Sequence, residues 1–268
     1  RARLAAVFRQ RERLVDQAIE LGAARGGPAC IQALGSGLSA LAPSQRARLV
    51  DAATAYHNDD DRSKAIVGLV EGLPYLGESE QARLAAAAID LAASLPRRLA
   101  LRALGANVAH LNDAALRSRA IDEVIAAGEV DELPKALTHL TIDQRERLLH
   151  SAFEGSRSLD IANHMAALGV GLAQLSEPQR ARVVGTVLDF DSEFSKSRAM
   201  LGLGPHIAHL HRDQRQSLFN LVEACAGPHA KAQIIQGLGG GLASLDASQP
   251  SSLVGTALFT ALAILLPS

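Results

Sequence analysis

The sequence predicts an all-α fold, an α-α superhelix (solenoid) of about seven 35-residue helical hairpins behind a partial N-terminal repeat. Three observations predict it. Apolar residues recur at helical spacing, whole blocks return at a fixed interval, and a helix-start signal stands at the same place in each block. The stretch Met165–Val184 shows all three. Met165, Leu168, Leu172 and Leu175 form an apolar stripe with small residues between them. Ser176 then stands as an N-cap with Gln179 three residues later, the capping-box pattern, and Pro178 is tolerated in that first turn.

The chain opens on a second helix alone, because Gln10, Arg11, Arg13, Leu14 and Val15 repeat Gln45, Arg46, Arg48, Leu49 and Val50. Opening in mid-repeat at Arg1, with neither Met nor an apolar signal segment, it reads as a piece of a longer protein. The last leucine of each first helix is its anchor: Leu41, Leu76, Leu111, Leu140, Leu175, Leu210 and Leu245. Their intervals are 35, 35, 29, 35, 35 and 35 residues. Apolar residues stand three, seven and ten positions before every anchor, which predicts a first helix of about three turns with one buried stripe. One position after the anchors come Ala42, Gly77, Asn112, Thr141, Ser176, His211 and Asp246 as N-caps. Four positions after come Gln45, Glu80, Ala115, Gln144, Gln179, Gln214 and Gln249. A glutamine there reaches back to the cap amide, so the column reads as capping before it reads as ligand contact.

The fourth hairpin departs from the pattern. Its interval is short, Pro134 sits inside its first helix, and Glu129, Asp131, Glu132 and Lys135 replace small residues. Proline removes a helix hydrogen bond, so this helix is expected to start near Asp131 or kink there, with a seam near 126–137 in an otherwise single domain over 1–268. The last hairpin ends in the apolar run Leu253–Leu266, too short for a membrane span and placed as a capping helix or a self-association surface. Short polar loops join the hairpins. The acidic one, His57–Asp61, lacks the glycine and distal glutamate of a calcium loop and reads as a solvated turn.

Composition narrows the function. The 27 Lys and Arg against 28 Asp and Glu draw the chain neither to nucleic acid nor to an anionic membrane. Cys30 and Cys225 form no disulfide framework or metal spacing. Aromatics are 3% of residues and Trp is absent, which suits closely packed helices built from Ala, Leu and Gly. No G-x-S-x-G, P-loop or H-E-x-x-H is present, and no catalytic, cofactor-binding or metal-binding residue is assigned. His206, His209 and His211 share zinc-like spacing but lack completing ligands except Asp213. Glycines recur at Gly35 and Gly37 and again at Gly239 and Gly241, each costing about 1 kcal/mol of helix propensity, so a backbone or a ligand is expected to approach closely there. An arginine ladder (Arg11/Arg13, Arg46/Arg48, Arg83, Arg145/Arg147, Arg180/Arg182, Arg215) gives the alternative reading, phosphate tracking. Its competing reading is a solvated face with pairs such as Arg13–Asp16 and Arg48–Asp51.

Positions one and four before the anchor vary while the stripe does not. They place Tyr75, Asn107, His110, His139, Gln174, His206 and His209 on one face, beside small residues that would leave room for a peptide or helix. These seven are the candidate partner-binding residues of a non-enzymatic protein-binding scaffold.

The hairpins resemble the helical-repeat class that includes TPR, PPR, HEAT and armadillo proteins. The period of 35 matches a PPR unit in length, as it does the DNA-reading repeats of TAL effectors, but the residue patterns of both, and the Trp-containing TPR signature, are absent. In style the Ala/Arg/Gly-rich repeats resemble helical-repeat effectors injected by plant-associated bacteria. That resemblance implies the repeat segment of a secreted effector that binds a host protein, located in the bacterial cytoplasm or, after secretion, in the host cell.

Overall fold

A computed structural model of the chain describes residues 2–23, 27–92, 94–153, 158–239 and 241. Among these residues the regular elements are all helices, with no strand. None of those helices is long and apolar enough to cross a membrane. Leu242, Ser244, Leu245, Asp246, Gln249 and the apolar run Leu253–Leu266, with the self-association expected of it, lie outside the described residues.

The chain divides into two compact units, Arg1–Glu129 and Val130–Ser268. The first holds α1 (Ala2–Ala23), α2 (Pro28–Gly35), α3 (Pro43–Thr54), α4 (Asp59–Val70), α5 (Glu78–Ile89), α6 (Ser94–Asn107) and α7 (Ala114–Ala126). The second holds α8 (Ile142–Phe153), α9 (Ser158–Leu168), α10 (Glu177–Leu188), α11 (Glu193–Leu203), α12 (Arg212–Ala224) and α13 (Pro228–Gly239). Within the first unit α2, α4 and α6 pack in succession, as do α1, α3, α5 and α7. Within the second, α9, α11 and α13 pack in succession, and α8, α10 and α12 do the same.

The predicted first helices do not run unbroken to their anchors. In five copies the α-helix ends early and the chain continues in a 3-10 segment, Leu38–Ala40, Leu73–Tyr75, Val108–His110, Gly169–Gln174 and Gly204–His209, while in the fourth the 3-10 segment Val130–His139 stands alone. Gly37, Gly72 and Asn107 make the break in the first unit, with φ near −100° and ψ near 0°, the sparsely allowed bridge between helix and strand. The anchor itself is extended, and its amide donates to the carbonyl three residues before it, as in Leu41 to Leu38 (3.2 Å) and Leu210 to Ile207 (2.9 Å). The apolar stripe survives the change because three-residue turns still bring positions three apart to one side. Leu38, Leu73, Val108, Leu172 and Ile207 are fully buried, each worth about 2 kcal/mol of transfer free energy.

The cap column is largely as expected. Gln45, Gln144, Gln179 and Gln214 each accept a hydrogen bond from the backbone N–H of Ala42, Thr141, Ser176 and His211, at 2.9–3.1 Å. The Ser176 hydroxyl accepts in return from the Gln179 amide. Ser176→Ala is therefore expected to lower the stability of the second unit by about 1 kcal/mol. A urea midpoint followed by circular dichroism checks it, and an unchanged midpoint would remove the box from the list of stabilising features. In the third copy the cap slips by one residue. Asp113, not Asn112, accepts from the amides of Ala115 (2.7 Å) and Leu116 (3.1 Å), because its carboxylate is the better placed acceptor. Ala115 accordingly plays no part in a glutamine column.

Of the glycines expected to mark close approach, Gly35 and Gly241 do so, whereas a Cβ on Gly37 would make only ordinary contact with the Leu34 carbonyl and one on Gly239 would have nothing within 4 Å. A Cβ on Gly35 would land on the Gly68 carbonyl, one on Gly169 on that of Gly202, and one on Gly204 on the Gly237 backbone. Successive first helices thus touch main chain to main chain, and the recurring propensity cost is offset by that contact.

At the irregular hairpin, Gly128 takes φ +73° at the end of α7. Its amide donates to Ile125 and that of Glu129 to Val124, the paired bonds of a Schellman stop. The segment after it is not a kinked α-helix. Val130–His139 is 3-10 throughout with Pro134 buried inside it. Glu129 is buried and ion-paired to Arg98 at 2.6 Å.

Candidate functional site

The 3-10 segments position the candidate residues. Tyr75, His110, His139, Gln174 and His209 each end such a segment, and each is exposed. The anchor that follows turns inward, which obliges its predecessor to point out. Tyr75, the largest of the five, is 49% exposed. Tyr75 and His110 belong to the first unit, and His139, Gln174 and His209 to the second.

Three of these backbones are held from the preceding hairpin. Arg46 donates to the Tyr75 carbonyl, Gln81 to that of His110 (3.1 Å) and Arg145 to that of Gln174 (2.7 Å). Each donor stands 29 positions before its acceptor. Gln81 does more than this. It is 1% exposed, it donates also to the Leu73 carbonyl (2.9 Å), and its Oε1 accepts from the Asn112 amide (3.0 Å). The sequence shows the donor column as Arg46, Gln81, Arg117, Arg145, Arg180 and Arg215, four residues past each observed cap. Its signal was present in the recurring arginines, but the acceptors of Arg46, Gln81 and Arg145 are main-chain atoms of the next repeat, which have no sequence signature.

The farther column is not open. Asn107 turns its amide onto the Ala103 carbonyl (3.1 Å), and Gly72, Ala136, Gly171 and Gly241 are buried. A Cβ on Gly72 or Gly171 would strike the side chain of Leu38 or Leu137. Gly72 and Gly171 therefore admit the neighbouring repeat, whereas Gly37 is half-buried with no such neighbour. His206 is half-buried; burial, and secondarily the neighbouring His209, push its pKa below 6.5. The seven predicted residues thus separate into five exposed at segment ends and two, Asn107 and His206, drawn toward the fold.

The arginine ladder is engaged. Arg48 pairs with Asp16 at 2.8 Å and Arg182 with Glu146 at 2.7 Å, while Arg83 pairs with Asp51. Each partner lies on the preceding second helix rather than three residues along the same one, as Arg48–Asp51 would have been. Side chains of that length reach across packed helices as easily as along one. Arg180 donates to the Leu175 carbonyl (2.6 Å) and Arg117 to that of Leu111 (2.6 Å).

Two carboxylates hold inter-hairpin loops. Asp59 accepts from the Ala92 amide (3.0 Å) and pairs with Arg62, so the acidic loop begins α4, with Asn58 as its cap. Glu193 accepts from the amides of Ala226 and Gly227, and these bonds, with Lys196 and Lys231 nearby, hold its pKa below 4.5. A carboxylate with a depressed native pKa adds stability above its unfolded value and loses it as pH falls through the native one. The stability difference between wild type and Glu193→Gln is therefore expected at neutral pH and should vanish in acid. A difference that persists unchanged to low pH would separate it from this carboxylate.

No group of three or more His, Cys, Asp or Glu among the described residues is placed to hold a metal ion. His211 caps α12, its Nδ1 lying 3.5 Å from the Asp213 amide. His164, unmarked by spacing, bridges its unit: Nδ1–H donates to the Ala152 carbonyl (3.1 Å) and Nε2 lies 2.8 Å from Asp131. A cleft of about 310 Å³ in the first unit is lined by Glu12, Val15, residues 39–42 and Gln45. No family model, no curated protein and no solved structure matches the chain.

Proposed function

We propose that the chain is a solenoid of stacked helical hairpins that acts as a non-enzymatic protein-binding scaffold. The observation that carries the reading is the exposed side chain at the end of each 3-10 segment, set at Tyr75, His110 and Gln174 on a backbone held by the preceding hairpin. Tyr75, His110 and Gln174 combine a variable side chain with a carbonyl held by Arg46, Gln81 or Arg145. Variable chemistry on a rigid main chain is what lowers the ordering cost of recognition. Tyrosine and histidine supply contact area and hydrogen bonds with few rotatable bonds. The partner is then a protein or peptide, and the resemblance to secreted repeat effectors makes a host protein the natural class.

The arginines favour this reading over phosphate tracking. Arg48, Arg83 and Arg182 are neutralised by carboxylates, and Arg46 and Arg145 are spent on carbonyls. Binding to duplex DNA or single-stranded RNA would show a steep loss of affinity with salt.

The test captures partners by cross-linking to the intact chain, then compares affinities with Tyr75→Ala/His110→Ala, and separately with His139→Ala/Gln174→Ala/His209→Ala. All five side chains are exposed, so denaturation midpoints should stay within about 0.5 kcal/mol of wild type. At least one set is expected to weaken binding about tenfold. Unchanged affinity in both would move the site off these residues, and a salt-dependent shift of nucleic acid would replace the reading.

A further inference from the structure

Helices α9 and α11 lie in the interior of the second unit's first-helix row, and each has a face that the buried stripe does not use. Leu159 and Phe194 stand sixteen positions before their anchors, Asn163 and Arg198 twelve, and Ala166 and Leu201 nine. Spacings of four and three put each set of three on one side of its helix. The outer two levels are apolar. Leu159 is 41% and Phe194 58% exposed, Leu201 is half-buried, and Val170, just past α9, is 62% exposed. The level between them is polar and crosses from helix to helix. Arg198 Nε donates to Asn163 Oδ1 at 2.8 Å, and in the next copy Gln233 accepts from the Ser197 hydroxyl at 2.7 Å. The first of these bonds fixes what the level offers. Asn163 has turned its oxygen to Arg198, so its Nδ2 donors face away from that bond. The exposed guanidinium is held at Nε and keeps both Nη groups, with no carboxylate paired to it among the described residues. In this it differs from Arg48, Arg83 and Arg182, which carboxylates neutralise.

We infer that this face binds an extended peptide segment of a partner protein, laid across α9 and α11, with one acidic residue between apolar ones. The carboxylate meets the Arg198 fork, whose two Nη groups suit a bidentate acceptor. A main-chain carbonyl meets Asn163 Nδ2, and an extended chain has one to give, whereas the carbonyls of a helix are bonded within it. Packed helices lie about 8–10 Å apart, which is roughly three residues of extended chain at about 3.3 Å each. Carbonyl and carboxylate then fall on neighbouring helices. Side chains of such a segment alternate to either side of its line, so its apolar residues reach Leu159 and Phe194 on one side and Leu201 on the other. A phosphate polymer would meet the same guanidinium but has nothing to set against those apolar levels. The inference rests on the scaffold reading and names the ligand class and its place on the second unit.

The test offers a displayed library of random dodecapeptides to the intact chain. Selected sequences are expected to share an Asp or Glu flanked by apolar residues. A synthetic peptide of the selected sequence should bind Arg198→Gln and Phe194→Ser about tenfold more weakly, while both variants keep the wild-type unfolding midpoint because the positions are exposed. Replacing the acid of the peptide by its amide should cost the same factor against wild type and nothing further against Arg198→Gln, which assigns the pair. The bound peptide should gain no helicity. Selected peptides without an acid, equal affinity for Arg198→Gln, or a helical bound peptide overturns the assignment. With no peptide selected, binding of single-stranded RNA that Arg198→Gln abolishes overturns it in favour of nucleic acid. Dimerisation in sedimentation that Phe194→Ser abolishes, again with no peptide selected, overturns it in favour of a second copy of the chain. Captured partners that weaken with either exposed-residue set, while the library yields nothing, overturn this inference alone and leave the scaffold reading standing.

Discussion

Gly202→Ala is expected to destabilise the second unit by about 2 kcal/mol, although alanine is the better helix former. Two effects oppose each other. Propensity favours alanine over glycine in a helix interior by about 1 kcal/mol. Overpacking costs about 1–3 kcal/mol, toward the upper end where the obstruction cannot move. Here a Cβ would fall on the Ala166 backbone, including its carbonyl and Cα, and the Gly202 carbonyl itself occupies the place of a Cβ on Gly169. Backbone atoms have no rotamer to relax into, so α9 and α11 would have to part along their whole contact. Gly185→Ala is the control. It lies inside α10 with nothing within 4 Å of a new Cβ, and alanine there should be neutral or stabilising by up to about 1 kcal/mol. Urea midpoints of the two variants that move in the same direction would refute close backbone approach as the cause.

The second large effect is expected at Gln81. Its truncation to alanine removes partners from the carbonyls of Leu73 and His110 and from the Asn112 amide. Buried groups left unsatisfied cost about 1–3 kcal/mol each, less where water can enter, so Gln81→Ala should lower stability by about 3 kcal/mol. Gln81→Arg tests the origin of the loss. Arginine is the usual residue of this column and can donate to the His110 carbonyl, but it has no oxygen for the Asn112 amide. An intermediate loss is expected, and a loss equal to that of alanine would mean that volume, not hydrogen bonding, sets the effect.

The sequence disclosed the parts of the fold that repeat and act locally. The stripe at Leu38, Leu73 and Ile207 is buried, and Ser176 and Thr141 head their helices as the spacing predicts. What escaped it depends on reach between repeats. Apolar periodicity does not distinguish a three-turn α-helix from a shorter one finished by a 3-10 turn, because positions three apart coincide in both. The slip from Asn112 to Asp113 turned on two adjacent residues that are both good caps. Gly72 and Gly171 leave the same mark in a sequence whether they open a groove or admit a neighbour. The structure gives the second, through Leu38 and Leu137. Of the candidate residues, those just before an anchor were readable because burial of the anchor forces them outward. Asn107 and His206 were not, since their environment is made by other turns.

The donor at one position and the carbonyl 29 residues later also bear on how such a chain changes over generations. The three joints of Arg46 with Tyr75, Gln81 with His110 and Arg145 with Gln174 take their two halves from the same two places in adjoining copies. A tandem duplication of one 35-residue period would arrive with donor and acceptor already matched, and a deletion of one period would rejoin the remaining halves. Length can then drift by whole periods while the side chain before each anchor mutates independently of the joint beneath it. The main-chain half of the bond is indifferent to that side chain, which leaves the exposed residue free to diversify without unmaking the bond.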